Sequence, residues 1–190
     1  GMKLPLIKLW LPLVWKEYFI PGRTFVWEAE LKWFGFTILR GKDEFVGGKG
    51  RMVIGGQVAE GEGFDQADNQ RIWHESFWMP AALAEDSRVR WEAVDDTTVK
   101  MFIPYKDGED ELRLKFDPQT HLLTDLFSKR YSSDDQEMRP YWETYRDYRE
   151  FNGVLVPTSL GAAYDEDFYV YLTVDGIVYN VDVSHKLPTP

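Results

Sequence analysis

Between Phe25 and Trp33 the chain alternates. Phe25, Trp27, Ala29, Leu31 and Trp33 fall on every second position, with Glu28, Glu30 and Lys32 between them. Period two describes a strand with one wet face. The surrounding stretch, residues 23–64, stays rich in Phe, Trp, Val and Ile. It is broken by Gly35, Gly41, Gly47-Gly48 and Gly55-Gly56, which suit turns and bulges in a curved sheet.

The pattern changes in "DQADNQRIWHESFWM", residues 65–79, where spacing near 3.6 predicts a helix. Asp65 or Asp68 suits its cap and Pro80 its end, with Ile72, Trp73, Ser76, Phe77 and Met79 on one face. A short helical turn follows at Ala81–Glu85, so the helical insert covers 65–85.

Residues 86–183 return to strands as an antiparallel meander. Asn152-Gly153 reads as a tight hairpin turn, and Asp175-Gly176 leads into a last strand, "IVYNVDV". Residues 2–22, punctuated by Pro5 and Pro12, read as an irregular lead-in. About ten strands joined by short turns are neighbours and antiparallel. One inserted helix is too little to cover both faces of such a sheet. The expected fold is mainly β (α+β), a curved antiparallel half-open β-barrel wrapped around one inserted helix, as a single domain over 2–190.

Composition sharpens this picture in three places. The length of 190 residues suits one domain with a real core, and the 16% aromatic share points to a broad aromatic interior or groove. A net charge of -10 lacks the basic footprint of nucleic-acid binding. The absence of cysteine removes disulfides, thiolate catalysis and Cys-based metal sites. Gly1 before Met2 reads as a scar of tag removal. Residues 2–20 are interrupted by Pro5, Lys8, Pro12 and Lys16, so no transmembrane run or signal-peptide pattern is expected there. The compartment stays open.

His74-Glu75 is the beginning of the H-E-x-x-H zinc helix, which needs a second His four positions after the first. Trp78 stands there, and His121 and His185 have no ligand spacing, so no metal site is expected. The carboxylate pairs Asp95-Asp96 and Asp134-Asp135 sit in turns, where Asp is favoured locally. "GGKG" at 47–50 reads as a turn. No nucleotide or cofactor fingerprint occurs, so no cofactor is expected, and no nucleophile–base pair is visible. The aromatic surplus is the remaining signal. A cleft lined by aromatics with few polar groups binds apolar ligands. Trp33, Trp73, Phe77, Trp78 and Trp91 are the expected lining.

Five stretches, "ESFWMPAAL", "VRWEAVDDTTVKM", "LRLKFDPQTHLL", "YRDYREFNGVLVPTSL" and "FYVYLTVDGIVYN", resemble an uncharacterised bacterial family classed only as a domain of unknown function. "FVWEAEL" fits as well. The resemblance implies a fold similar to the LolA and LolB lipoprotein carriers, half-barrels whose ligand is a lipid or acyl chain. The leading expectation is therefore non-catalytic binding of a lipid or acyl chain between sheet and helix. The alternatives are a structural or interaction module, such as the soluble part of a membrane-associated protein, and an acid-dependent hydrolase using Glu75 or Glu92 with Arg130.

Overall fold

A computed structural model describes residues 1–4 and 9–188. The chain opens with two short strands, β1 (Met2–Leu4) and β2 (Leu9–Leu11). Then come β3 (Leu13–Ile20), β4 (Thr24–Trp33), β5 (Phe36–Val46), β6 (Lys49–Ile54) and β7 (Gln57–Glu60), which pair in sequence order as a five-stranded antiparallel sheet. The helical insert follows: α1 (Glu62–Glu75), a 3-10 turn over Ser76–Trp78, and α2 (Pro80–Glu85). The remaining strands are β8 (Arg90–Ala93), β9 (Thr98–Tyr105), β10 (Gly108–Phe116), β11 (Leu123–Ser132), β12 (Glu137–Phe151), β13 (Val154–Tyr164) and β14 (Asp167–Thr173). They form a nine-stranded antiparallel sheet in the order β2-β1-β14-β13-β12-β11-β10-β9-β8. Among the described residues no closed barrel forms.

Local chemistry accounts for most of the connections. Asn152 and Gly153, at φ 49° and 83°, make the left-handed turn that their types favour between β12 and β13. Gly47-Gly48 and Gly55-Gly56 do the same between β5, β6 and β7, so "GGKG" is a turn. The register then places Phe25 opposite Phe45, Trp27 opposite Asp43 and Leu114 opposite Leu126, which sends one face of each sheet inward. Ile72, Trp73, Met101, Ile103, Leu112, Leu114, Leu126 and Val156 form the centre of the core.

Four expectations change. Residues 13–20, assigned to an irregular lead-in, are strand β3, because Pro12 precedes the strand and its N–H-less ring interrupts no ladder. Pro5 and Lys8 lie outside the described residues. The helix begins at Glu62, with Gly61 at its cap, and ends at Glu75. Pro80 does not terminate it but opens α2, where a missing N–H costs nothing. Residues 177–183 form no strand: Gly176 does not take a left-handed φ, so Asp175-Gly176 makes no tight hairpin.

The fifth change concerns α1 itself. It is buried, yet its buried residues include Asp65, Gln66, Asp68, Gln70, His74 and Glu75. Two of its faces meet sheets through polar groups. Toward the nine-stranded sheet, the amides of Gln66 and Gln70 donate to the Lys129 carbonyl at 3.2 and 2.8 Å, and Ser128 donates to Gln70 at 2.9 Å. Toward the five-stranded sheet, Asp65 accepts the Gly50 N–H at 2.9 Å and pairs with Lys49 at 2.8 Å. The helix presses on backbone here: a Cβ at Gly50 would stand 2.3 Å from Asp68 Oδ2, and one at Gly63 2.5 Å from the Tyr131 ring.

Candidate functional site: a buried charge cluster and an aromatic cleft

Arg71 projects from α1 toward β3 and β5. Its guanidinium contacts Asp43 at 2.7 Å, Glu75 at 2.8 Å and Glu17 at 3.3 Å. It also lies 4.5 Å from the Phe25 ring centroid and 5.0 Å from that of Trp27. The three acidic side chains are between 3% and 8% exposed, so this is an ion cluster shut off from water. Burial pulls the guanidinium down, but Glu75, Glu17 and Asp43 together hold it well above its usual range. Burial drives Glu17 well up, reinforced by repulsion from Glu75, and drives Asp43 up against the pull of Arg71. Glu17 Oε2, Asp43 Oδ1 and Glu75 Oε2 are buried without a hydrogen-bond partner.

One turn earlier on α1, Asp68 is 2% exposed with Oδ2 unpartnered. Burial and repulsion from Asp43 raise it well above the ordinary carboxylate range, despite Arg130 and Arg71. The sign of its effect on stability follows. A carboxyl raised in the folded state favours folding fully below its unfolded value, and that contribution is lost as pH rises through the folded one. Asp68→Asn is therefore expected to stabilise the protein at pH 8 by about 1–3 kcal/mol, because the neutral amide escapes the extra desolvation cost of an ionisable carboxyl. The gain should shrink toward pH 4. Urea midpoints measured from pH 4 to pH 8 check this, and a gap independent of pH would contradict it.

The other side of α1 carries a second polar group. His74 Nδ1 lies 3.2 Å from Glu143 Oε1, and the hydroxyls of Tyr141 and Tyr145 donate to the two Glu143 oxygens at 2.5 and 2.6 Å. Burial pushes Glu143 up, but His74, Tyr141 and Tyr145 outweigh it and hold the carboxyl at about 2. A carboxylate so fully occupied is a fastener between helix and sheet. Among the described residues no group of three or more His, Asp or Glu is arranged to hold a metal ion.

The described residues outside this interior leave a cleft of ≈ 1380 Å³. One wall is β3, an edge strand of its sheet, and the other is the chain after β14, residues 174–185. The helical insert supplies Trp78, Met79, Ala81 and Ala82. The Trp78 ring stacks on Trp15 at 6.0 Å and 20°, and its indole N–H donates to the Pro157 carbonyl at 3.1 Å. Tyr179 donates its hydroxyl to the Trp78 carbonyl at 2.9 Å, and the Val174 N–H donates to Thr158 O at 2.8 Å. These bonds carry the final segment across without a strand ladder.

The expected aromatic lining is dispersed. Trp78 lines the cleft. Trp73 is sealed in the core at 2% exposure, and Phe77 packs on the same core against Tyr145, their centroids 5.7 Å apart. Trp33 ends β4 at the tip of a hairpin, and Trp91 stands exposed on the edge strand β8. Nor is either carboxylate brought to Arg130. Glu75 is bound to Arg71, Glu92 is exposed beside Arg90, and Arg130 donates to the Ala67 carbonyl at 3.1 Å.

The charge cluster was missed, although the sequence carries a trace of it. Glu17 occupies the position between Trp15 and Phe19 that the alternation reserves for an inward side chain, and Glu143 stands likewise between Tyr141 and Tyr145. A polar residue in an apolar slot is the sign of a buried network.

A family model described as a family of unknown function, DUF6544, matches residues 2–174. No curated protein and no solved structure matches the chain.

Proposed function

The chain belongs to DUF6544, a family of unknown function that lends it no activity, and we propose that it binds an apolar ligand, a lipid or acyl chain, without catalysis. The observation that carries this reading is the cleft of ≈ 1380 Å³, larger than an ordinary small-molecule pocket and bordered by Trp15, Phe19, Trp78, Met79 and Ile177. The space between α1 and the sheets does not suit such a guest, since hydrogen bonds and ion pairs occupy both sheet-facing sides of the helix. The ligand therefore belongs between β3 and the end of the helical insert, over the Trp15–Trp78 stack. The sequence resemblance given above implies a carrier-like fold of the LolA and LolB type, and the ligand class it implies, a lipid or acyl chain, agrees with this reading.

The direct test is titration with a fluorescent fatty acid, together with native mass spectrometry of protein purified from cells. Saturable binding is expected, and Ala82→Trp, which fills the cleft from an exposed position, should weaken it by about tenfold or more. Trp91→Phe should leave it unchanged. Absence of both saturation and retained lipid would sink the reading.

A further inference from the structure

The β4–β5 hairpin ends in Trp33-Phe34-Gly35-Phe36, and its tip is built against the preferences of the fold. Phe34 takes φ 47° and Gly35 φ 84°, the left-handed pair of a two-residue turn. Asn is the favoured residue at the first of these positions, and a bulky aromatic is a strained choice there. Burial does not compensate: Phe34 is 85% exposed, Phe36 76% and Trp33 44%. The Phe34 ring meets the Trp33 ring edge-on at 4.9 Å, so the tip presents a small aromatic wedge.

Farther back on the outward face of the sheet, Val14, Ile38 and Val58 are exposed among charged residues. The register puts Gly41, five residues behind Phe36, opposite Ile54, so the β4–β5 tip projects beyond the β6–β7 turn. The charges behind the wedge are tied to one another. Glu30 accepts from Lys32, and Arg40 Nε donates to it at 2.9 Å, while Lys32 also donates to Thr37 at 2.6 Å.

We propose that this tip docks the protein on the interfacial zone of an electrically neutral, zwitterionic lipid bilayer. Four arguments select that partner. Trp and Phe with one wet side and one apolar side suit the level of lipid headgroups. The exposed parts of the three aromatics amount to roughly 400 Å², about half of what one partner in a stable protein–protein interface buries. A convex two-residue tip inserts into a fluid surface more readily than it matches a rigid one. A net charge of -10, with Lys32 and Arg40 both engaged by Glu30, gives no attraction to anionic lipid. The inference stands apart from the ligand proposed for the cleft.

The test is flotation of the purified protein with phosphatidylcholine vesicles, and with vesicles containing phosphatidylserine, at low and high salt. Binding to phosphatidylcholine is expected, insensitive to salt, with no gain from phosphatidylserine. Phe34→Asn should reduce it by roughly tenfold, while raising the thermal midpoint, because Asn suits the turn. That midpoint separates loss of docking from loss of folding. Phe127→Ser, at an exposed aromatic of the other sheet, should leave binding intact. Failure of the unaltered protein to float, equal binding by Phe34→Asn, or binding that needs phosphatidylserine and vanishes in salt would each overturn the proposal. So would concentration-dependent self-association abolished by Phe34→Asn without vesicle binding.

Discussion

Arg71→Ala is expected to destabilise the protein by about 3–5 kcal/mol at neutral pH, the usual consequence of removing one partner from a buried ion cluster. The guanidinium touches Glu17, Asp43 and Glu75, and each of these is almost wholly withdrawn from water. Without it their mutual repulsion is uncompensated, and three carboxylate oxygens that already lack partners gain no new ones. The variant also loses the stacking of the guanidinium on Phe25 and Trp27. The loss should depend on pH in a definite direction. Glu17 and Asp43 are already held above their ordinary values by burial, and removing Arg71 raises them further. Protonation relieves the repulsion, so the deficit should be largest near pH 8 and shrink toward pH 5. Urea denaturation at both values measures it. Arg71→Lys keeps the charge without the fork that reaches three acids, and an intermediate loss is expected. A deficit below about 1 kcal/mol, the level of an exposed pair, would show that the cluster is solvated after all.

Trp73→Ala is expected to cost about 3–5 kcal/mol by a different route, loss of a large core side chain and the cavity that remains. Trp73 is 2% exposed, and its ring reaches so close to β3's following turn that a Cβ at Gly22 would lie 2.7 Å from it. Arg88 caps the ring from outside at 5.2 Å. Backbone on one side and an ion-paired arginine on the other limit collapse into the vacated space. Unlike the Arg71 deficit, this one should be flat across pH 5–8, and thermal or urea midpoints distinguish the two. Trp91→Ala, on the exposed edge strand, should stay within about 0.5 kcal/mol.

Trp73 was legible in part. Its helical run follows from the sequence pattern, but it is expected in a ligand cleft and is sealed in the core instead. Trp91 alternates just as convincingly in "VRWEAV", yet it belongs to the last strand of a sheet. Alternation reports a face and not the presence of anything packed on it. Arg71 shows the opposite failure. In "DQADNQR" nothing marks it for burial, and charged side chains are rarely buried. It is buried because α1 lies between two sheets, leaving its polar sides nowhere to meet water.

The sequence by itself determined the class of this protein: a β-rich chain with one helical insert, and hairpins at Asn152-Gly153 and the glycine pairs. Those features are local, written in periods of two and 3.6 and in residues that tolerate left-handed backbone. Only the tertiary structure decided that the strands divide into two sheets, and that acids from β3 and β5 meet one arginine of α1. It also decided that the aromatics part company, with Trp73 in the core, Trp78 in the cleft and Trp33 at a free tip. The physical reason is common to all three. Each depends on which surfaces come together across dozens of residues, and an aromatic or a carboxylate looks the same in sequence whether water or another side chain faces it.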